Sequence, residues 1–297
     1  MPRHKRGSLT LSGRLFLLTT LAMIAFAANS ILTRQALAPG LVDAASFGTV
    51  RVISGAVVLV GLLYWRGRTL VLREARPGMA AALFVYVACF SFAYLWLPAG
   101  TGALILFATV QLTMIAAALL GGERFSPLAW AGLMVAALGL VYLLAPGVSA
   151  PDPLGAALMI AAGIGWAFYS LWGRGAVDPL RTTAQNFVLA IPLVVLVSIL
   201  SIQDASLTPT GFALALASGA LASAGGYVIW YAALPQLSAG AAATVQYSVP
   251  ILAAVGGTLL LEEALTWRLL IATGATLGGV ALFLLQRNAA QPERRSP

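Results

Sequence analysis

From residue 14 to residue 286 the chain is a succession of long apolar runs separated by short polar punctuation. A helix needs about 20 apolar residues to cross about 30 Å of hydrocarbon, and most of the runs reach that length. Within a bilayer only helices and closed barrels satisfy their own backbone hydrogen bonds. A barrel requires alternating segments of about ten residues, and these runs do not alternate. The chain therefore reads as an all-α membrane protein.

The runs predict ten spans, at 14–37, 43–65, 77–97, 101–121, 127–145, 153–173, 182–201, 210–233, 239–261 and 266–286. Connections are too short for an inserted soluble domain. Hydrophobic residues make up 60% of the sequence and charged ones 9%, which excludes an ordinary soluble domain. The net charge of +8 does not point to nucleic acid, because the basic residues are scattered through tails and loops. They act instead as topology signals. With the N-terminus inside, the cytoplasmic segments collect Arg3, Lys5, Arg6, Arg14, Arg66, Arg68, Arg73, Arg76, Arg124, Arg174, Arg181, Arg287, Arg294 and Arg295, and the outer segments keep Arg34 and Arg268. That bias places both termini in the cytoplasm. The basic start and Ala25-Phe26-Ala27 imitate a cleavable signal, but the segment continues as an apolar helix, so a retained first span is expected.

Chemistry is narrowly bounded. Cys89 is the only cysteine and His4 the only histidine, so neither a disulfide within the chain nor a His-based or CxxC metal site is expected. Paired intramembrane aspartates and a Ser/His dyad are also missing. The chain is expected not to be an enzyme and to need no cofactor or metal.

Two stretches are related. Thr244 to Glu263 reads TVQYSVPILAAVGGTLLLEE, and Thr109 to Glu123 reads TVQLTMIAAALLGGE. Ser30 and Ser170, Arg34 and Arg174, Glu123 and Glu263, and Gly139 and Gly279 all match at a spacing of 140. The matched Arg and Glu carry weight in so apolar a sequence. This points to an internal duplication: a basic tail at 1–13, a first five-helix repeat at 14–147, a second at 148–287, and a cytoplasmic tail at 288–297. An odd number of spans per unit forces the halves into opposite orientations, the inverted repeat typical of transporters. No filter-like loop or ring of charge suggests a channel.

FAANSILTR (26–34), WAFYSLWGR (166–174) and the two acid-closed stretches resemble the drug/metabolite transporter superfamily, specifically proteins with two EamA domains. Within that superfamily the chain looks most like YddG-type exporters of aromatic and other amino acids. The resemblance implies a central cavity lined by spans 1, 3, 4, 6, 8 and 9, with spans 5 and 10 outside. Gly274 and Gly278 on span 10 permit close helix approach, read as ordinary bundle packing rather than a dimer contact.

Candidate substrate-binding residues are Asn29, Tyr86, Tyr94, Gln111, Trp166, Tyr169, Tyr227 and Gln246. Gln111 and Gln246 carry amides inside apolar spans, where an unpaired polar group is costly. They either pair as packing glue or face a wet cavity, and they are expected to oppose each other across a pseudo-two-fold axis. Asn29 has the same two readings. Tyr86 and Trp166 sit near mid-depth and could stack on an apolar side chain or hold an ammonium. Trp96, Trp230 and Tyr231 lie near span ends and read as interfacial belt residues.

All nine acids fall in loops, tails or helix ends, which argues against a buried carboxylate relay for protons and against an acid-lined drug pocket. Arg51 is the one intramembrane charge. It either meets an anion, or snorkels to the outer interface, or pairs with Asp43; the last two follow if span 2 stays off the cavity. Arg34 and Arg174 read as interface anchors, and Glu123 and Glu263 as helix-end markers. Pro192, Pro250, Gly225-Gly226 and Gly256-Gly257 mark kinks, either hinges or static bends.

The expected function is a multi-pass transporter of the bacterial inner membrane, a monomer or homodimer in the lipid bilayer. It exports small molecules, amino acids first, by alternating access, as a facilitator or exchanger. A drug or other metabolite exporter of the same fold is the alternative. A non-transporting receptor or assembly factor is the distant one.

Overall fold

The computed structural model describes residues 6–237 and 239–290. These form α1 (Arg6–Leu37), α2 (Ala44–Trp65), α3 (Pro77–Ala93), α4 (Ala99–Leu120), α5 (Pro127–Leu144), α6 (Pro153–Gly173), α7 (Pro179–Leu200), α8 (Pro209–Ala217), α9 (Gly226–Ala233), α10 (Ala239–Gln246), α11 (Ser248–Leu261) and α12 (Trp267–Ala290). Among the described residues, nine stretches are long and apolar enough to cross a membrane, and Pro77–Ala93 is a shorter apolar helix. No strand occurs among the described residues; Val42 and Leu207 form one isolated antiparallel bridge.

Helix starts follow local chemistry. Pro stands in the first turn of α3, α5, α6, α7 and α8, where its missing N–H costs nothing. Ser126, Asp152, Asp178 and Thr208 accept from the backbone N–H groups of Ala129, Gly155, Arg181 and Gly211. Asp43 does the same for α2 through Ser46 and also accepts from the backbone of Ser206. Three of the nine acids are therefore helix caps.

Two of the spans read as kinked, the eighth and the ninth, are interrupted. The eighth is interrupted by a π-helical segment, Ser218–Gly225, between α8 and α9. The ninth breaks at Tyr247 between α10 and α11, just before Pro250. Pro250 needs no i−4 partner so near a helix start, so the break precedes the proline. The third helix ends at Ala93 and turns through Tyr94–Leu97, earlier than its hydrophobicity suggested.

Packing is closest where small residues meet. α3 lies on α6, α2 on α7, and α5 on α12. A Cβ on Gly132 or Gly139 would crowd Gly279 or Thr276 on α12, and one on Gly279 would crowd Ala136. Gly274 and Gly278 take no part in this; they face open space, so the bundle-packing role read for them is not theirs. Along α4, every residue from Ala99 to Gln111 is buried, whereas most of the following turns are partly exposed. The bundle is thus sealed most completely at the Ala99 end.

Candidate functional site

The seal at that end has an ionic centre. Arg34, in the last turn of α1, lies 3.3 Å from Glu263. Its Nη1 donates to the carbonyls of Tyr94 (2.9 Å) and Leu95 (3.0 Å) at the end of α3. The other Glu263 oxygen accepts from the backbone N–H of Ala99 at 2.8 Å, where the α4 dipole favours an anion. Glu263 is brought there by a left-handed residue, Glu262, with φ 56°. Sequence reasoning read Arg34 as an interface anchor and Glu263 as a helix-end marker; together they join α1, α3, α4 and α11.

Below this seal lies a narrow cavity of about 20 Å³, room for a water or so. Its wall comes from α1 (Phe26, Asn29, Ser30), α3 (Tyr86, Phe90), α4 (Leu106, Phe107), α6 (Trp166), α9 (Tyr227) and α10 (Gln246). Trp166 is the aromatic hub. It stacks on Tyr227 at 5.3 Å and on Tyr169 at 5.4 Å, and contacts Tyr86 at 5.0 Å. Asn29, Tyr86, Trp166, Tyr227 and Gln246 stand on the wall. Tyr169 is buried behind Trp166, Gln111 is buried on α4, and Tyr94 is buried in the seal, where its hydroxyl donates to the Ala99 carbonyl at 3.2 Å. Trp230 is 8% exposed and packs on Phe26, so it does not stand in an interfacial belt; Trp96 is 41% exposed.

Behind the wall sits Arg51, 1% exposed. Its Nε donates to Ser223 Oγ at 3.1 Å and its Nη2 to the Tyr86 hydroxyl at 3.0 Å. The guanidinium also lies 5.3 Å from the Tyr86 ring centre and 4.8 Å from that of Phe90. Nη1 has no hydrogen-bond partner. No carboxylate is within ion-pair reach of Arg51 among the described residues. Neither snorkelling nor a pair with Asp43 describes it. A buried charge without a counter-ion costs several kcal/mol, so the fold holds it there against a penalty.

The π segment supplies the rest of this network. Ser218 and Ser223 both donate to Asn29 Oδ1, at 2.8 and 3.3 Å. The two serines are five residues apart, the hydrogen-bonding interval of a π-helix. Gly219 lets the segment press on α2; a Cβ there would collide with the Arg51 carbonyl and the Ser54 hydroxyl. Ser218 and Ser223 escaped sequence reasoning, because an α-helical reading places residues five apart on different faces. The signal was the spacing itself, Ser-Gly followed by Ser inside an apolar span.

At the opposite end, the loops before α3 and α7 are tied by Arg68–Asp178 (3.0 Å) and by Gln185 donating to the Val71 carbonyl at 2.6 Å. Arg174 is exposed there and, with Arg76, Asp178 and Arg181, lines a cavity of about 450 Å³. No cluster of His, Cys, Asp or Glu suited to a metal occurs among the described residues.

Residues 153–285 match the model of the EamA-like transporter family. The chain is 51% identical over 276 residues to the uncharacterized protein PA1977 of Pseudomonas aeruginosa, covering 92% of this chain and 96% of that one. It is 32% identical to the threonine/homoserine exporter RhtA of Escherichia coli K12, covering 80% of each, and 28% identical to the uncharacterized inner membrane transporter YedA of the same strain, again covering 80% of each. A solved structure superposes with a TM-score of 0.65 at 22% identity, covering 90% of this chain and 99% of that one, a likeness of fold. Members of this family are transporters and not enzymes. An all-helical, multi-pass chain with these relatives is a member of the EamA-like transporter family, within the drug/metabolite transporter superfamily.

Proposed function

We propose that this transporter exports amino acids, aromatic or other neutral ones, from a bacterial cytoplasm across the inner membrane. The observation that carries the reading is a cavity lined by aromatic rings and neutral amides, with a guanidinium behind it and no carboxylate. The likeness to a protein named as a threonine/homoserine exporter supports the substrate class, as does the sequence resemblance to YddG-type exporters. A cationic drug, the other cargo considered, would meet an uncompensated positive charge.

The proposed mechanism is alternating access of two inverted five-helix halves, 14–147 and 148–287, with both termini in the cytoplasm. On that topology the Arg34–Glu263 end faces outward and is closed. A cavity of about 20 Å³ is smaller than any amino acid, so the cargo enters only when the helices separate. The π segment and the Tyr247 break are the proposed points of give. Asn29, Tyr86, Trp166, Tyr227 and Gln246 form the proposed binding wall, supported by Tyr94, Gln111 and Tyr169. Counterflow of a labelled amino-acid panel in proteoliposomes tests the reading. Exchange of at least one neutral amino acid is expected; exchange of other metabolites with none of the amino acids would replace it.

A further inference from the structure

The polar groups around the cavity sort by hydrogen-bonding sense. The Tyr86 oxygen already accepts from Arg51, and its O–H proton remains to be donated. Asn29 Oδ1 already accepts from two serines, so its amide offers only N–H donors. Arg51 Nη1 is a donor without a partner. All three belong to one connected network, and no acid among the described residues answers it. Gln246 adds an acceptor that these groups lack. Its Nε2 commits one N–H to the Ala242 carbonyl at 3.3 Å, and Oε1 is left over as an acceptor.

We propose that the Arg51 network is a carboxylate-binding end of the cavity: the Tyr86 hydroxyl, polarised by the guanidinium, and the Asn29 amide receive the cargo's carboxylate, and Arg51 supplies the opposing charge. Gln246 Oε1 and the Trp166 and Tyr227 rings receive the ammonium. A carboxylate is acceptor-only, so it satisfies a donor-rich site, and it removes the penalty of an uncompensated buried charge. Arg51 is thus a positioning and charge-supplying residue acting through Tyr86. This deepens the amino-acid reading of the same cavity and rests on it for the ammonium end alone; the carboxylate end stands for any carboxylate-bearing cargo.

The test compares competition by cargo analogues in proteoliposomes. The panel holds amino acids, their amides (no carboxylate), their deaminated acids (no ammonium) and cationic amines. For the wild type, replacing the carboxylate by an amide is expected to weaken competition about tenfold or more, the worth of a charge-assisted hydrogen bond. In Tyr86→Phe, which keeps the ring, and in Arg51→Gln, that discrimination is expected to collapse to within about threefold, while Arg51→Lys keeps part of it. Wild-type indifference between acid and amide overturns the proposal, as does unchanged discrimination in a folded Arg51→Gln protein. If Arg51→Gln does not fold, Tyr86→Phe and the wild-type comparison decide. Transport of deaminated acids but of no amino acid would sink the amino-acid reading and leave the carboxylate end standing.

Discussion

Arg34 and Glu263 stand 229 positions apart in sequence and meet at 3.3 Å, half-buried, where α1, α3, α4 and α11 converge. Each also binds backbone of another element: Arg34 the turn that follows α3, Glu263 the first residue of α4. The pair therefore fastens one end of the bundle.

The first prediction concerns this fastening. Glu263→Gln keeps the bond from Ala99 and removes the charge. It should raise the labelling rate of a cysteine placed at Leu106 about tenfold in a Cys89→Ser background, by an outside-added thiol reagent. The exchanged pair, Arg34→Glu with Glu263→Arg, should recover part of the protection. Unchanged labelling in Glu263→Gln would show that the pair does not restrain opening.

A second prediction uses Asn29. Asn29→Asp keeps an oxygen to accept from Ser218 and Ser223, so the packing should survive. It also places a carboxylate on the network that holds Arg51. Competition by amino acids should weaken about tenfold or more, and competition by amines should improve. A folded Asn29→Asp protein with wild-type selectivity would show that Arg51 does not act on the cargo.

A third contrasts two glycines. Gly219→Ala drives a methyl group into the Arg51 carbonyl and should lower stability by about 2 kcal/mol or more, read as an earlier thermal transition in detergent. Gly274→Ala meets nothing within 4 Å and should be neutral or stabilising by up to about 1 kcal/mol.

A fourth concerns energy. The cavity wall carries no carboxylate, so an imposed pH gradient should not drive accumulation of cargo beyond equilibrium in proteoliposomes. Accumulation that disappears in Glu123→Gln or Glu263→Gln would show that the acids at the helix ends couple protons to transport.

Much of the fold was legible because hydrocarbon imposes a length on each helix and a cost on each charge. Ten apolar runs are ten apolar segments, and the described acids lie at helix ends or in the connections between helices, three of them as N-caps. Five of the eight candidate residues line the cavity, because aromatic and amide groups at mid-depth have few other places to go. Arg51 was visible as an anomaly but not as a member of a network, since its partners come from two other spans, Tyr86 on the next one and Ser223 172 positions away. Gln111 and Gln246 share a motif, yet only Gln246 reaches the cavity: α10 breaks off at Tyr247, whereas α4 runs on unbroken through a fully packed stretch. Trp230 was read from its position near a span end, and its depth was decided by Phe26 beside it.

The π segment has one more consequence. A π-helix fits more residues into each turn than an α-helix, so α9 is out of phase with α8 along what is otherwise one span. A uniform helical wheel drawn from Pro209 to Ala233 assigns the wrong side to everything after Gly225, and Tyr227 owes its place opposite Trp166 to that offset. Removing one residue from Ser218–Gly225 would rewind the segment and swing Tyr227 by about 100°, away from the ring it stacks on. Length variation, tolerated in a loop, is ruled out at this point in mid-membrane.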